Sequence, residues 1–316
     1  VVGNRILNNS GEGYWGGSSG GSVDANYFDN NGNANPGYDH TAYLAQDNDF
    51  SSESVGFAFT NNEIRYSSEA CNGVMIVVHG QFNGLNIENN IVDGGSSPTA
   101  GCWGIGTGNG GYPTPGWYKN LTIRRNYVLN AGNMGITCEQ CPNAVVENNV
   151  VTMSNNDYPR GIAVPSQPAR TSLGEPVTTA AVIRNNTIYF SPAAQHGRGI
   201  QVAVDANSDG VINEGSGYVV ANNSIYHSNA GYSCFETPVN VFAFIGNNAC
   251  YNGPWTTTYD ATTHITADPL YASAPADFTP QPGSPLVGAG NASRAPSTDI
   301  ALKTRPSPPS IGALER

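Results

Sequence analysis

The sequence predicts an all-β chain wound as a right-handed parallel β-helix with an irregular C-terminal cap. Three observations predict it: a repeated apolar phrase with strand periodicity, an Asn-Asn pair closing each phrase, and a composition poor in helix formers. Repeats at intervals of 20–50 residues signal solenoids, in which each unit buries its apolar face against the next.

The phrase first reads Phe57-Ala58-Phe59-Thr60-Asn61-Asn62-Glu63-Ile64 and returns as Leu85-Asn86-Ile87-Glu88-Asn89-Asn90-Ile91-Val92. It recurs around Arg125-Asn126, Asn148-Asn149, Asn185-Asn186, Asn222-Asn223 and Asn247-Asn248, with shorter echoes at Asn4-Arg5-Ile6 and Asn26-Tyr27-Phe28. Apolar residues alternate with polar ones, which is the period of a strand and not of a helix. Asn tolerates the left-handed backbone region, so an Asn pair suits a tight corner between strands. Stacked corners would let equivalent Asn side chains hydrogen-bond as a ladder. The pairs lie 22 to 37 residues apart, as expected of one coil with its extra length in loops.

A second strand follows each corner, for example Val74-Met75-Ile76-Val77-Val78-His79, Met134-Gly135-Ile136-Thr137-Cys138-Glu139 and Arg198-Gly199-Ile200-Gln201-Val202. Residues 1–253 are therefore read as helix. Residues 254–316 turn Pro-rich and irregular, and are read as a cap of the same domain folded back along the helix side. A propeller would need longer repeats, and a sandwich would show more Asn-Gly hairpins.

The chain has 316 residues, 38 Gly, 38 Asn, only 12% charged residues and a net charge of −11. Hydrophobic residues make up 39%, enough for a core, which argues against disorder. The acidic balance speaks against nucleic acid as a partner. No apolar run is long enough to span a bilayer. Six Cys without zinc-type His partners suggest disulfides, an oxidising compartment and a secreted protein. Cys71 with Cys102, and Cys234 with Cys250, are the expected pairs. Cys138 and Cys141 could close a small loop or form a redox pair, the former being favoured because no thioredoxin-like helix is expected.

These residues resemble the pectate-lyase-like right-handed β-helix superfamily over nearly the whole chain. The marks are the Asn-Asn phrases, Asp39-His40-Thr41-Ala42-Tyr43-Leu44, and the close from Asp277-Phe278 to Gly290. The resemblance implies the fold and a secreted, carbohydrate-active setting. The catalytic motifs of alginate epimerases and polygalacturonases are absent, so no single subfamily's activity is carried over.

Aligning the second strands on their Gly-Ile step places Ile76, Ile105, Ile136, Ile162, Ile200 and Cys234 in one inward column. Met75, Gly104, Gly135, Gly161, Gly199 and Ser233 are expected outward, as are Val77, Gly106, Thr137, Ala163, Gln201 and Phe235. These mostly small residues predict a shallow, flat groove suited to an extended polymer. His40, Trp103, Arg160, Arg198 and Tyr232 share the leading position of successive strands, with Arg160 and Arg198 about 5 Å apart across the ladder. Their charges repel unless an anion or a local carboxylate such as Asp157 or Glu175 lies near.

β-Elimination on a uronate needs the substrate carboxylate neutralised, a base for the α-proton and an acid for the leaving oxygen. Arg160 and Arg198 are candidates for the first role. His79, or Lys119 if it reaches over, is the candidate base, and Tyr43 or Tyr232 the acid. Trp103, Thr137, Gln201 and Tyr43 would contact the glycan. Glycoside hydrolysis would instead use a carboxylate pair such as Glu139 with Asp157 or Asp205. A third reading is a non-catalytic glycan-binding solenoid, such as a tailspike or adhesin fragment. For His40 and His79 a structural role is the plain alternative.

The stretch Asp205-Ala206-Asn207-Ser208-Asp209-Gly210-Val211-Ile212-Asn213-Glu214 resembles the first half of an EF-hand calcium loop. It predicts a structural Ca²⁺ held by Asp205, Asn207, Asp209, Val211 and Glu214. The reading is thus a secreted, monomeric, uronate-directed polysaccharide lyase whose partner is an acidic glycan.

Overall fold

In a computed structural model the chain forms stacked parallel sheets wound as a right-handed β-helix. The structure describes residues 1–32, 34–35, 39–47, 51–108, 112–155, 157–203, 215–230, 232–237, 240–255 and 263–316.

Three long sheets carry the described part of the helix. The first has eight strands, from Ser22–Asp24 to Phe242–Gly246, and leads into the Asn corners. The second has nine, from Arg5–Leu7 to Ala249–Tyr251, and leaves them. The third has eight, from Tyr14–Gly16 to Ser233–Glu236, and carries the second strands of the repeat. A small fourth sheet joins Glu53–Val55, Gln81–Asn83 and Trp117–Lys119. Apolar residues of successive coils, such as Phe59, Ile87, Ile123, Val146, Ile183 and Val220, stack in register inside a single continuous core.

The Asn corners are the organising element. The first residue of each pair takes a positive φ: Asn61, Asn89, Arg125, Asn148, Asn185, Asn222 and Asn247 lie between 52° and 57°. The second residue turns inward and joins a ladder. Asn62 Oδ1 accepts from the backbone and side-chain nitrogens of Asn26, Asn90 from Asn62, Asn126 from Asn90, and Asn149 from Asn126. The ladder continues through Asn186 and Asn223 to Asn248. Each rung also donates to a carbonyl, such as Asn149 Nδ2 to Ile123 O at 2.9 Å. The inward Asn thus satisfies buried polar groups from one corner to the next.

The three disulfides are Cys71–Cys102, Cys138–Cys141 and Cys234–Cys250, and no cysteine is free. Among the described residues no helix is long and apolar enough to cross a membrane.

The C-terminal segment lies against the corners of the later coils. The outward first Asn of four successive pairs holds it. Asn148 Nδ2 donates to Thr298 O, Asn185 to Ser310 O and Gly312 O, Asn222 to Asn291 O, and Asn247 to Ala289 O. Arg305, buried and paired with Glu315, also donates to Asn148 Oδ1 at 2.7 Å. Phe278 and Tyr271 cover the stacked Tyr189 and Tyr226 of the second sheet.

Candidate active site

The third sheet carries the residues with chemical potential. Ile76, Ile105, Ile136, Ile162 and Ile200 pair in register and are buried, as the Gly-Ile alignment requires. The last coil slips by one. Ile200 pairs with Phe235 and Arg198 with Ser233, so Cys234 does not continue the isoleucine column and Tyr232 does not share the Arg198 position. The Cys234–Cys250 disulfide sets this register. Cys234 occupies the small-residue slot that Gly199 fills on the coil before and bonds to Cys250, while Phe235 stacks on Trp255 at 5.7 Å.

The glycine column also differs from expectation. A β-carbon on Gly104, Gly135 or Gly161 would lie 2.3–2.5 Å from Val128, Val151 or Ile188 side chains, so these positions face the core. Met75 is buried in the same core. The backbone jogs at the glycine, so that both it and the following isoleucine point inward. The outward column runs through Tyr43, Val77, Gly106, Thr137, Ala163, Gln201 and, after the slip, Glu236.

Five of the predicted residues meet at one cleft of about 320 Å³: His79, Trp103, Thr137, Glu139 and Arg160, with Val77, Gly106, Thr107, Gly108, Met134, Ser166 and Gln167. Ser166 and Gln167 carry no sequence signal. They arrive because Ser166 N donates to Cys138 O at 2.7 Å, which lays the loop over the site.

Glu139 follows Thr137 and Cys138 on the strand, and its amide donates to Thr107 O at 3.0 Å. A β-carbon on Gly108 would sit 2.5 Å from the Glu139 carboxyl carbon, so the missing side chain at 108 makes the room in which that carboxylate lies. The Cys138–Cys141 bond closes the turn on its other side.

His79 stands one coil before Gly108. Its ring lies 5.1 Å from Tyr43 and 5.6 Å from Tyr112. Burial lowers its pKa to about 4, against a hydrogen bond to the Gly108 backbone, and nearby His40 adds to the lowering. The imidazole is therefore neutral at pH 7. His40 is lowered to about 4 by burial, opposed by Asp39. Its Nδ1 accepts the Val74 amide at 3.2 Å, so it ties two coils together beside the cleft. Tyr43 also lies outside the cleft lining, and burial with a Tyr112 hydrogen bond raises its pKa.

Arg160 and Arg198 are direct cross-strand partners. Arg198 is matched: its Nε lies 3.1 Å from Glu236, and its guanidinium lies 4.8 Å from the Tyr232 ring and 5.6 Å from that of Tyr158. Gln201 donates to the same carboxylate at 2.5 Å. Arg160 makes no salt bridge among the described residues, and its Nε is buried without a hydrogen-bond partner there. Burial and the Arg198 charge lower its pKa, opposed by Glu236.

The carboxylates expected to neutralise the pair form no salt bridge with it among the described residues. Glu175 pairs with Arg170, and Asp157 forms no salt bridge among the described residues. Lys119 sits on the fourth sheet, 3.4 Å from Glu53 and over the Trp117 ring. Tyr232 and Gln201 gather around Arg198 and not in the cleft. Asp205, Asn207, Asp209, Val211 and Glu214 lie outside the described residues, and among those described no acidic, His or Cys cluster is placed to hold a metal.

Compared with known proteins, the chain is matched by no protein-family model and by no curated protein.

Proposed function

We propose that the protein is a secreted polysaccharide lyase that cleaves a uronate-containing glycan by β-elimination. The observation that carries this reading is Arg160, a cation with no salt bridge among the described residues, lining one cleft with neutral His79 and with Glu139. An unmatched guanidinium in a part-buried site is a ready partner for a carboxylate. The resemblance to pectate-lyase-like β-helices supports the reading as analogy only.

In this reading Arg160 binds the uronate carboxylate and offsets its charge, which acidifies the adjacent C5–H. His79 takes that proton. The C5–H and C4–O bonds break, a C4=C5 double bond forms, and the imidazolium returns the proton to the leaving oxygen. The Glu139 carboxylate, lying against Gly108, stabilises the transient positive charge. A carboxylate-pair hydrolase is less well supported, because Glu139 is the single acidic residue among the described residues lining the cleft.

The test is ultraviolet absorbance of unsaturated ends during incubation with alginate, pectate and glycosaminoglycan. Arg160→Ala is expected to lower kcat/KM by roughly 10²–10³-fold with the melting temperature retained. New reducing ends without unsaturation would replace this reading with hydrolysis, and neither signal would favour a glycan-binding solenoid.

A further inference from the structure

An extended polymer needs an open path along the sheet, and the outward column does not provide one. Outside the cleft, the column is covered: Tyr43 is 8% exposed, Ala163 1% and Gln201 3%. At one end the rings of His40, Tyr43, His79 and Tyr112 follow one another at 5.8, 5.1 and 5.6 Å and wall the column off. At the other, Arg198 is packed between Tyr158 and Tyr232 and bound to Glu236. Between the walls lies the cleft of about 320 Å³, at the small end of the ~300–1,000 Å³ range of ligand pockets.

We infer that this cleft admits the end of a short uronate chain and not the middle of a long one, so that cleavage is exolytic. This rests on the lyase reading above and uses the same bond changes. The ring wall at His79 and the tyrosine-clasped Arg198 act as stops, and Arg160 between them, which makes no salt bridge among the described residues, holds the terminal carboxylate. The charge pattern fits: Glu236 is hydrogen-bonded to the stop residue Arg198 and acts on Arg160 through its charge alone, which leaves the Arg160 guanidinium to meet the substrate.

The experiment follows unsaturation, viscosity and product size together, on pectate or alginate and on their trimers to hexamers. At equal mass concentration the initial rate should rise in proportion to the number of chain ends. Products of one or two residues should appear from the start while viscosity lags. A rapid fall in viscosity with long intermediate products would overturn the inference while leaving the lyase reading intact. If no substrate gives unsaturation, the lyase reading fails, and thermal stabilisation by saturated trimer and by long polymer at equal mass decides the binding mode. Stabilisation by the trimer well beyond that by the polymer supports end recognition, and equal or absent stabilisation rejects it.

Discussion

Replacing Asn149 by Ala removes one rung from the middle of the Asn ladder. Its Oδ1 accepts from Asn126 N and Nδ2, both at 3.0 Å, and its Nδ2 donates to Ile123 O at 2.9 Å and Asn186 Oδ1 at 3.0 Å. Four hydrogen bonds disappear, and the side chains of Asn126, Asn149 and Asn186 are all fully buried, so no water replaces them. At about 1 kcal/mol per bond, with further cost for buried groups left unmatched, the loss comes to about 4–6 kcal/mol. Against an ordinary domain stability of ~5–15 kcal/mol this is a large fraction. Urea unfolding should show a much lower midpoint with an unchanged slope. Asn4→Ala provides the control, because Asn4 is exposed at the ladder's end and donates to Val2 O and Asn26 Oδ1. If the two substitutions shift the midpoint equally, the ladder is not what holds the corners.

Acid should also destabilise the fold. His227 is buried against Phe190 at 4.5 Å, and burial lowers its pKa from 6.5 to about 4. The unfolded chain binds the extra proton first, so stability is full above pH 6.5 and falls as the pH drops towards 4, by up to about 3 kcal/mol. His227→Phe should flatten the melting temperature across that window, and an unchanged slope would exclude His227 as the cause. Arg305→Ala strands buried Glu315 and removes the donor to Asn148, an expected cost of about 3–5 kcal/mol, visible as earlier proteolysis of the C-terminal segment. The Asp205–Glu214 sequence motif predicts a lower melting temperature in EDTA that calcium restores, and identical melts would remove calcium from the account.

The coil was legible because the corners repeat. Period-2 apolar runs and Asn pairs mark the strands, the positive-φ positions and the ladder in the sequence itself. The Gly-Ile step set the register of five coils correctly, including the contact of Arg160 with Arg198. It failed where Ser233-Cys234-Phe235 replaces glycine with cysteine, since no glycine marks the slot and the disulfide decides the register instead. That one-residue slip hid the partnership of Arg198 with Glu236. It also assumed simple alternation, which the jog at each glycine breaks. The enclosure of the cleft was not legible, because Tyr112, Tyr158, Ser166 and Gln167 sit on loops without periodicity.

The attachment of the C-terminal segment to Asn148, Asn185, Asn222 and Asn247 makes it a gauge of coil number. Its contacts are spaced to match four consecutive turns of the solenoid, so deleting or duplicating a turn within that span would leave the strap out of step with its anchors. The turn ahead of Asn148 meets the strap only through Tyr127 and Leu129, and among the described residues the earlier corner Asn residues bond within the solenoid: Asn61 to Asp24, with Asn89 accepting from Arg125. A change in the number of turns is therefore penalised most within the span from Asn148 to Asn247.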